Sequence, residues 1–223
     1  QMPAANGLFA KLALFSLPYE PPLTSAAYAD RQEQIETALP SQCGLSQAST
    51  EQILKAQQVV AEKYRGKGMP LMPAAGADLA PNIHDFSTTA ANIHVDQLLL
   101  LTTADEVSAF LKPVPDLAFT DEDIQGFART KFEDPQAALD FVATRGAGSP
   151  KAAMVGLMTL FQFRLAQLEL AEAFRKHGAV TTGLFSIPST VPGMGSPHCM
   201  PLPYILGNHA QWFDAPMFEG IPS

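Results

Sequence analysis

Two places in the sequence hold side chains suited to proton chemistry: the carboxylate pair Asp105-Glu106, within Thr103-Ala-Asp-Glu-Val107, and His198, at the end of Gly193-Met-Gly-Ser-Pro-His198. A carboxylate beside an imidazole fixes the ring's tautomer and stabilises its charged form, which frees the other ring nitrogen to act as a general base. Each place also has a plainer reading. Carboxylates suit the first turn of a helix, where they complement its dipole, and a lone histidine in a Gly/Pro-rich loop is more often structural. Cys199 adjoins His198, but adjacent residues point in different directions, which disfavours a thiol nucleophile served by that ring. His84, His94 and His177 lack ligand spacing, and His177 reads as a dipole partner near a helix end. Cys43 and Cys199 form no CxxC pattern and read as two buried thiols rather than a disulfide framework or zinc knuckle.

The elements that must position these residues alternate between short apolar runs and capped helices. Leu12-Ala-Leu-Phe-Ser16, ended by Pro18, reads as a buried strand, as do Gln97-Leu-Leu-Leu-Leu101 with Thr102 and Thr103, and Val180–Ile187, closed by Pro188. A helix is expected from about Ala26 to Leu39. A second starts at Ser49, with Gln52 completing a capping box and Gly66 beyond its end. Residues 67–92 read as an irregular connection. Thr120 with Asp123 caps a short helix, and Asp134-Pro135 opens another. Ser149-Pro150 opens the longest, expected to run to about His177 with Gly178 as its stop and a packed face on Leu157, Phe161, Leu165 and Leu168. Strands separated by helices and long loops predict an α/β sheet, whose chemistry sits beyond the carboxyl ends of the strands.

Composition excludes several functions. Hydrophobic residues make up 47% and charged residues 16%, so the chain is globular rather than disordered. A net charge of −8 without a basic cluster argues against nucleic acid, whose affinity comes mainly from Lys and Arg neutralising phosphates. No apolar run is long enough to span a bilayer. The start, Gln1-Met-Pro-Ala-Ala5, resembles neither a leader peptide nor a natural beginning, and Gly220-Ile-Pro-Ser223 supplies no closing element. A part of a longer protein is expected.

A carboxylate and then a histidine, each just past a strand, is the chain order of the second and third triad members in α/β-hydrolases. The serine that would precede them is missing: no serine here has glycines at both positions of G-x-S-x-G. Met2-Pro-Ala-Ala-Asn-Gly-Leu-Phe-Ala-Lys-Leu-Ala-Leu-Phe-Ser16 resembles the segment that comes after the nucleophile elbow in type-B carboxylesterases, the family of para-nitrobenzyl esterases and cholinesterases. Pro73 with Leu79-Ala-Pro81 is similar to that family's P-v-v-D-G-x-x-L-P, with Gly76-Ala77 in place of its Asp-Gly. Gln97–Phe110 resembles l-l-i-G-t-t-x-d-E-x-x-x-F, and Met158–Phe174 resembles the helix tD-x-x-F…lA-x-A. Gly195–Asn208 resembles G-A-x-H-x-x-E-L-P-[FY]-V-F-G, with Pro201 where the family has an acid. The resemblance covers nearly the whole chain.

The resemblance implies one part of an α/β-hydrolase domain over residues 1–223, mostly parallel sheet, with a helical insertion at about 112–177 that shapes the substrate pocket. It places the acid on Glu106 rather than Asp105, the base on His198, and a hydroxyl supporting the acid on Ser16. Phe161, Met158 and Trp212 are candidates for the pocket wall, with core packing as the plainer reading; His209 stands beside Trp212 in the same position. The implied reaction is two-step acyl transfer on a carboxylic ester, with no metal and no cofactor. An N-terminal polypeptide of the same hydrolase would supply the serine and the oxyanion loop. The rival readings are an inactive hydrolase-like binding or adhesion protein, and an enzyme of another class, for which the sequence offers no nucleophile.

Overall fold

Three strands form the sheet in the computed structural model, which describes residues 5–40, 43–64, 71–76, 79–146 and 148–218. They are β1 (Lys11–Phe15), β2 (Gln97–Thr103) and β3 (Ala179–Phe185), all parallel and in the order β1-β2-β3. Leu12 pairs with Leu98 and Leu98 with Val180, so β2 is central. Along β2, Leu98, Leu100 and Thr102 are buried on one face; on the other Leu99 is exposed, Leu101 half-buried and Thr103, at the strand's end, buried. On β1, Ala13 and Phe15, in register with Leu99 and Leu101, are exposed as well. Parallel sheets are ordinarily covered on both faces. Here one face is covered, and the face bearing Ala13, Phe15 and Leu99 stands open.

The chain divides into two compact units. One comprises residues 1–8 and 20–94, the other 9–19 and 95–223. In the first, helices α1 (Ser25–Ala38) and α2 (Thr50–Lys63) pack together around Ile35, Leu39, Ala56, Val60 and Tyr64. Thr24 caps α1, and Ser49 with Gln52 forms the expected capping box on α2. Gly66 lies outside the described residues. The segment expected to be irregular contains a short helix, α3 (Phe86–Ala91), because Asp85 accepts the Thr88 amide as an N-cap.

In the second unit, α4 (Asp121–Lys131) and α5 (Pro135–Thr144) start at the Thr120–Asp123 capping box and at Asp134-Pro135. They pack with α6 (Pro150–Thr159) around Ile124, Ala128, Val142 and Leu157. The long helix expected to reach His177 is interrupted. After α6 comes a π turn, Leu160–Arg164, and then α7 (Leu165–Phe174). The inserted turn rotates the side chains beyond it, so the expected face fails at Leu168, which is 48% exposed, and burial passes to Phe163, Ala166, Leu170 and Phe174. Helix α7 packs on β2 and β3. Helix α7 ends at Phe174, short of His177, and Gly178 stands at the entry to β3, where a Cβ would lie 2.8 Å from the Asp96 carbonyl oxygen. The C-terminal region carries α8 (Leu202–Leu206) and a cluster of Met194, Met200, Met217 and Phe218. No described helix is long and apolar enough to cross a membrane. Both cysteines are free, and both are partly exposed rather than buried.

Candidate active site

The ends of the three strands converge on Glu106. The chain leaves β2 through Ala104 and Asp105 into a single 3-10 turn, Glu106–Ser108, not the first turn of an α-helix. The Glu106 side chain is 0% exposed, a position that costs a carboxylate several kcal/mol unless donors replace its water. Three donors do. Oε1 accepts the Thr103 amide at 2.6 Å and the Ser16 hydroxyl at 2.7 Å, and Oε2 lies 2.7 Å from His198 Nδ1. Burial pushes the carboxyl's pKa up, but the hydrogen bonds from His198, Thr103 and Ser16 outweigh it and hold Glu106 below its ordinary 4.5. An ionised carboxylate only accepts, so Nδ1 is the donor, and in the neutral ring Nε2 then carries the free lone pair. Such an arrangement has the geometry of an oriented general base.

Ser16 stands at the end of β1 with φ 54°, in the left-handed region that costs a non-glycine residue about 1–2 kcal/mol. Its amide donates to the Leu101 carbonyl at 2.7 Å while its hydroxyl reaches Glu106. The strained conformation therefore serves to aim the hydroxyl at the acid.

His198 sits in the loop after β3, its side chain 29% exposed and its ring centroid 5.5 Å from those of Phe110 and Phe163. The loop is fastened to the acid's turn. Ser196 N donates to Asp105 Oδ2 at 2.9 Å, Asp105 N donates to the Ser196 carbonyl at 2.9 Å, and His198 N donates to the Glu106 carbonyl at 3.2 Å. Ser108 Oγ reaches the carbonyls of Asp105 and Met194 at 2.7 and 2.6 Å. Gly195 has φ +60°, and a Cβ there would fall 2.3 Å from Asp105 Oδ2. Asp105 thus holds the histidine loop while Glu106 meets the ring. Cys199, next along, has its thiol pKa raised by burial and by the Glu106 charge, which leaves it protonated and a poor nucleophile.

Ser16, Glu106 and His198 are brought together; the three candidate pocket residues are not. Phe161 stacks edge-on with Tyr19, Phe127 and Phe132, lining a groove of about 590 Å³ that His198 does not line. Met158 packs against the α4–α6 cluster. Trp212 packs against the methionine cluster and donates to Asn208 Oδ1 at 3.0 Å. His209 is exposed, edge-on to Tyr204 at 4.6 Å. Sequence reasoning missed Phe163, Arg164, Ser108 and the role of Asp105. A lone arginine inside the apolar run from Met154 to Leu168 was the one visible signal. No group of three or more His, Cys, Asp or Glu able to hold a metal occurs among the described residues.

The chain's fold is similar to that of known structures. It superposes on a thermophilic PNB esterase (TM-score 0.66, 21% identity, 95% of this chain and 44% of that one) and on a second PNB esterase (0.66, 23%, 96% and 46%). It also superposes on the Geobacillus stearothermophilus carboxylesterase EST55 (0.66, 19%, 99% and 46%). The fold is therefore part of an α/β-hydrolase, and the chain spans less than half the length of these structures. No family model and no curated protein matches it.

Proposed function

We propose that this chain is the acid- and base-bearing part of a serine carboxylesterase of the type-B kind. The observation that carries the reading is the buried Glu106 carboxylate, 2.7 Å from Nδ1 of a histidine whose ring remains partly exposed. In this reading a serine on an N-terminal polypeptide of the same hydrolase attacks the ester carbonyl as His198 Nε2 takes its proton. The imidazolium then protonates the leaving alcohol, and a second cycle with water releases the acid. Glu106 keeps the ring in the right tautomer and offsets its charge, and Ser16 supports Glu106. The oxyanion donors come from the same N-terminal polypeptide, and the helices within 112–177 help shape the substrate pocket. No metal or cofactor enters. The open sheet face at Ala13, Phe15 and Leu99 supports such a partner, because a parallel sheet of this kind gains most when its second face is covered.

The test is a fluorophosphonate probe added to the complete protein, followed by separation or mapping of its polypeptide parts. Label on a serine outside residues 1–223, with turnover of p-nitrophenyl esters and loss of both in His198→Ala, upholds the reading. Label within residues 1–223 would mean that the nucleophile has been misplaced. Absence of both label and turnover would favour an inactive, hydrolase-like binding protein.

A further inference from the structure

The helix from Pro150 to Phe174 changes its hydrogen-bond period once, at the π turn, where Leu165 N donates to the Leu160 carbonyl. A π turn adds one residue and rotates the later side chains by about 100°. Here it brings two consecutive side chains to the site. Phe163 lies against the His198 ring, and Arg164 donates through one terminal nitrogen to the carbonyls of Thr103 and Ala104, at 3.0 and 3.3 Å.

The helix is tied to β2 and its exit turn on either side of that point as well. Thr159 Oγ1 accepts the Val107 amide at 3.3 Å, and Gln167 Nε2 donates to the Leu100 carbonyl at 2.9 Å. Arg164 is half-buried. Its burial, and after it the nearby Arg145 charge, pulls its pKa down, so holding a guanidinium here is costly. That one nitrogen binds backbone: the carbonyls of Thr103 and Ala104, whose two peptide groups lead into Asp105. Thr103, one of the two residues so held, also supplies the amide that binds Glu106 Oε1.

We propose that Arg164, presented by the π turn, is a positioning residue for the Glu106–His198 pair, fixing the β2 exit turn so that both carboxylate oxygens stay on their donors. The proposal rests on the hydrolase reading only for its kinetic consequence. Lysine carries the charge without the planar fork, so it replaces arginine in part.

The experiment compares Arg164→Gln and Arg164→Lys in the complete protein. It reads kcat and KM on a p-nitrophenyl ester across pH, the melting temperature, and the low-field Nδ1 proton resonance of His198, identified by its loss in His198→Ala. Arg164→Gln is expected to lower kcat by about 10- to 100-fold with KM within about twofold, a loss typical of misplacing a catalytic group. It should also displace the resonance and alter the acid limb of the pH profile, with Arg164→Lys recovering part of each. Unchanged kcat and an unchanged resonance, even with a lower melting temperature, would overturn the proposal. If Arg164→Gln does not fold, the same readings on Arg164→Lys decide. If the complete wild-type protein turns over no ester, the hydrolase reading fails on its own. A displaced resonance then still upholds positioning of the pair, and an unmoved one overturns it.

Discussion

Replacing Glu106 with glutamine changes one oxygen into an NH2 group and almost nothing in volume, so its effect can be worked from hydrogen-bond polarity. Oε1 faces two donors, the Thr103 amide at 2.6 Å and the Ser16 hydroxyl at 2.7 Å. The amide N–H cannot accept, so the glutamine oxygen must occupy that side. Its NH2 group then faces His198 Nδ1 across 2.7 Å, where the wild type has a carboxylate oxygen. Nδ1 must become the acceptor, the ring proton moves to Nε2, and the nitrogen that takes the serine proton in the proposed reaction no longer can. The corresponding aspartate-to-asparagine change in a Ser-His-Asp triad costs about 10⁴ in kcat. Four decades at about 1.36 kcal/mol each give about 5.4 kcal/mol of lost transition-state stabilisation.

Stability should move far less, because the charge-assisted hydrogen bonds lost are offset by no longer burying a charge. A change within about 2 kcal/mol at neutral pH is expected. Because the Glu106 pKa is depressed in the folded state, its stabilising contribution is full above its ordinary 4.5 and is lost as pH falls through the folded value. Glu106→Gln takes up no such proton, so its stability should fall less steeply than that of the wild type below that pH. The assay is p-nitrophenyl butyrate hydrolysis in the complete protein, with urea melts at several pH values. A variant that folds and keeps kcat within about tenfold of wild type would refute Glu106 as the triad acid.

Three further outcomes are expected. Gly195→Ala should destabilise by about 2 kcal/mol or more, since it combines a left-handed φ with a Cβ 2.3 Å from Asp105 Oδ2, and a urea melt within about 0.5 kcal/mol of wild type would remove the clash argument. Ser16→Ala should cost about 1–3 kcal/mol and lower kcat through a loosened Glu106, whereas Ser16→Gly should melt higher than Ser16→Ala because glycine relieves the φ of 54°. Cys199→Ala should keep kcat within about threefold and the wild-type thiol should alkylate slowly at pH 7, since burial and the Glu106 charge keep it protonated; rapid alkylation coupled to loss of turnover would contradict this.

Local chemistry was legible in the sequence because it is written within a few residues. The Ser49–Gln52 and Thr120–Asp123 boxes satisfy orphan amides of the first turn, and Pro135 and Pro150 each remove one such amide, wherever the helix sits in the fold. The strands were legible from short apolar runs, two of them ended by Pro18 and Pro188, and Glu106 and His198 from standing just beyond them. What could not be read was anything that depends on a change of period. An uninterrupted helix from Pro150 puts Leu157, Phe161, Leu165 and Leu168 on one face; one inserted residue moves burial to Phe163 and Ala166, and with it the aromatic contact to His198. Met158 and Trp212 were equally hard to place, since a methionine against the α4–α6 core or a tryptophan against methionines has the same local signature as one lining a pocket.

The site's arrangement stems from the cost of burying Glu106. One donor comes from the residue after β1, one from the last residue of β2, and one from the loop after β3. Removing any of them leaves a carboxylate oxygen short of a partner where water does not reach, at a cost of about 1–3 kcal/mol or more for a charged group. The three strand ends are therefore held in register by the same charge that orients the imidazole. Asp105 and Ser108 act in parallel, fixing the loop so that the ring cannot swing away without breaking backbone contacts to Met194 and Ser196. Orientation of the base is then a property of the folded sheet rather than something a substrate must induce. A hydroxyl delivered to Nε2 would meet an imidazole already in the tautomer that accepts its proton.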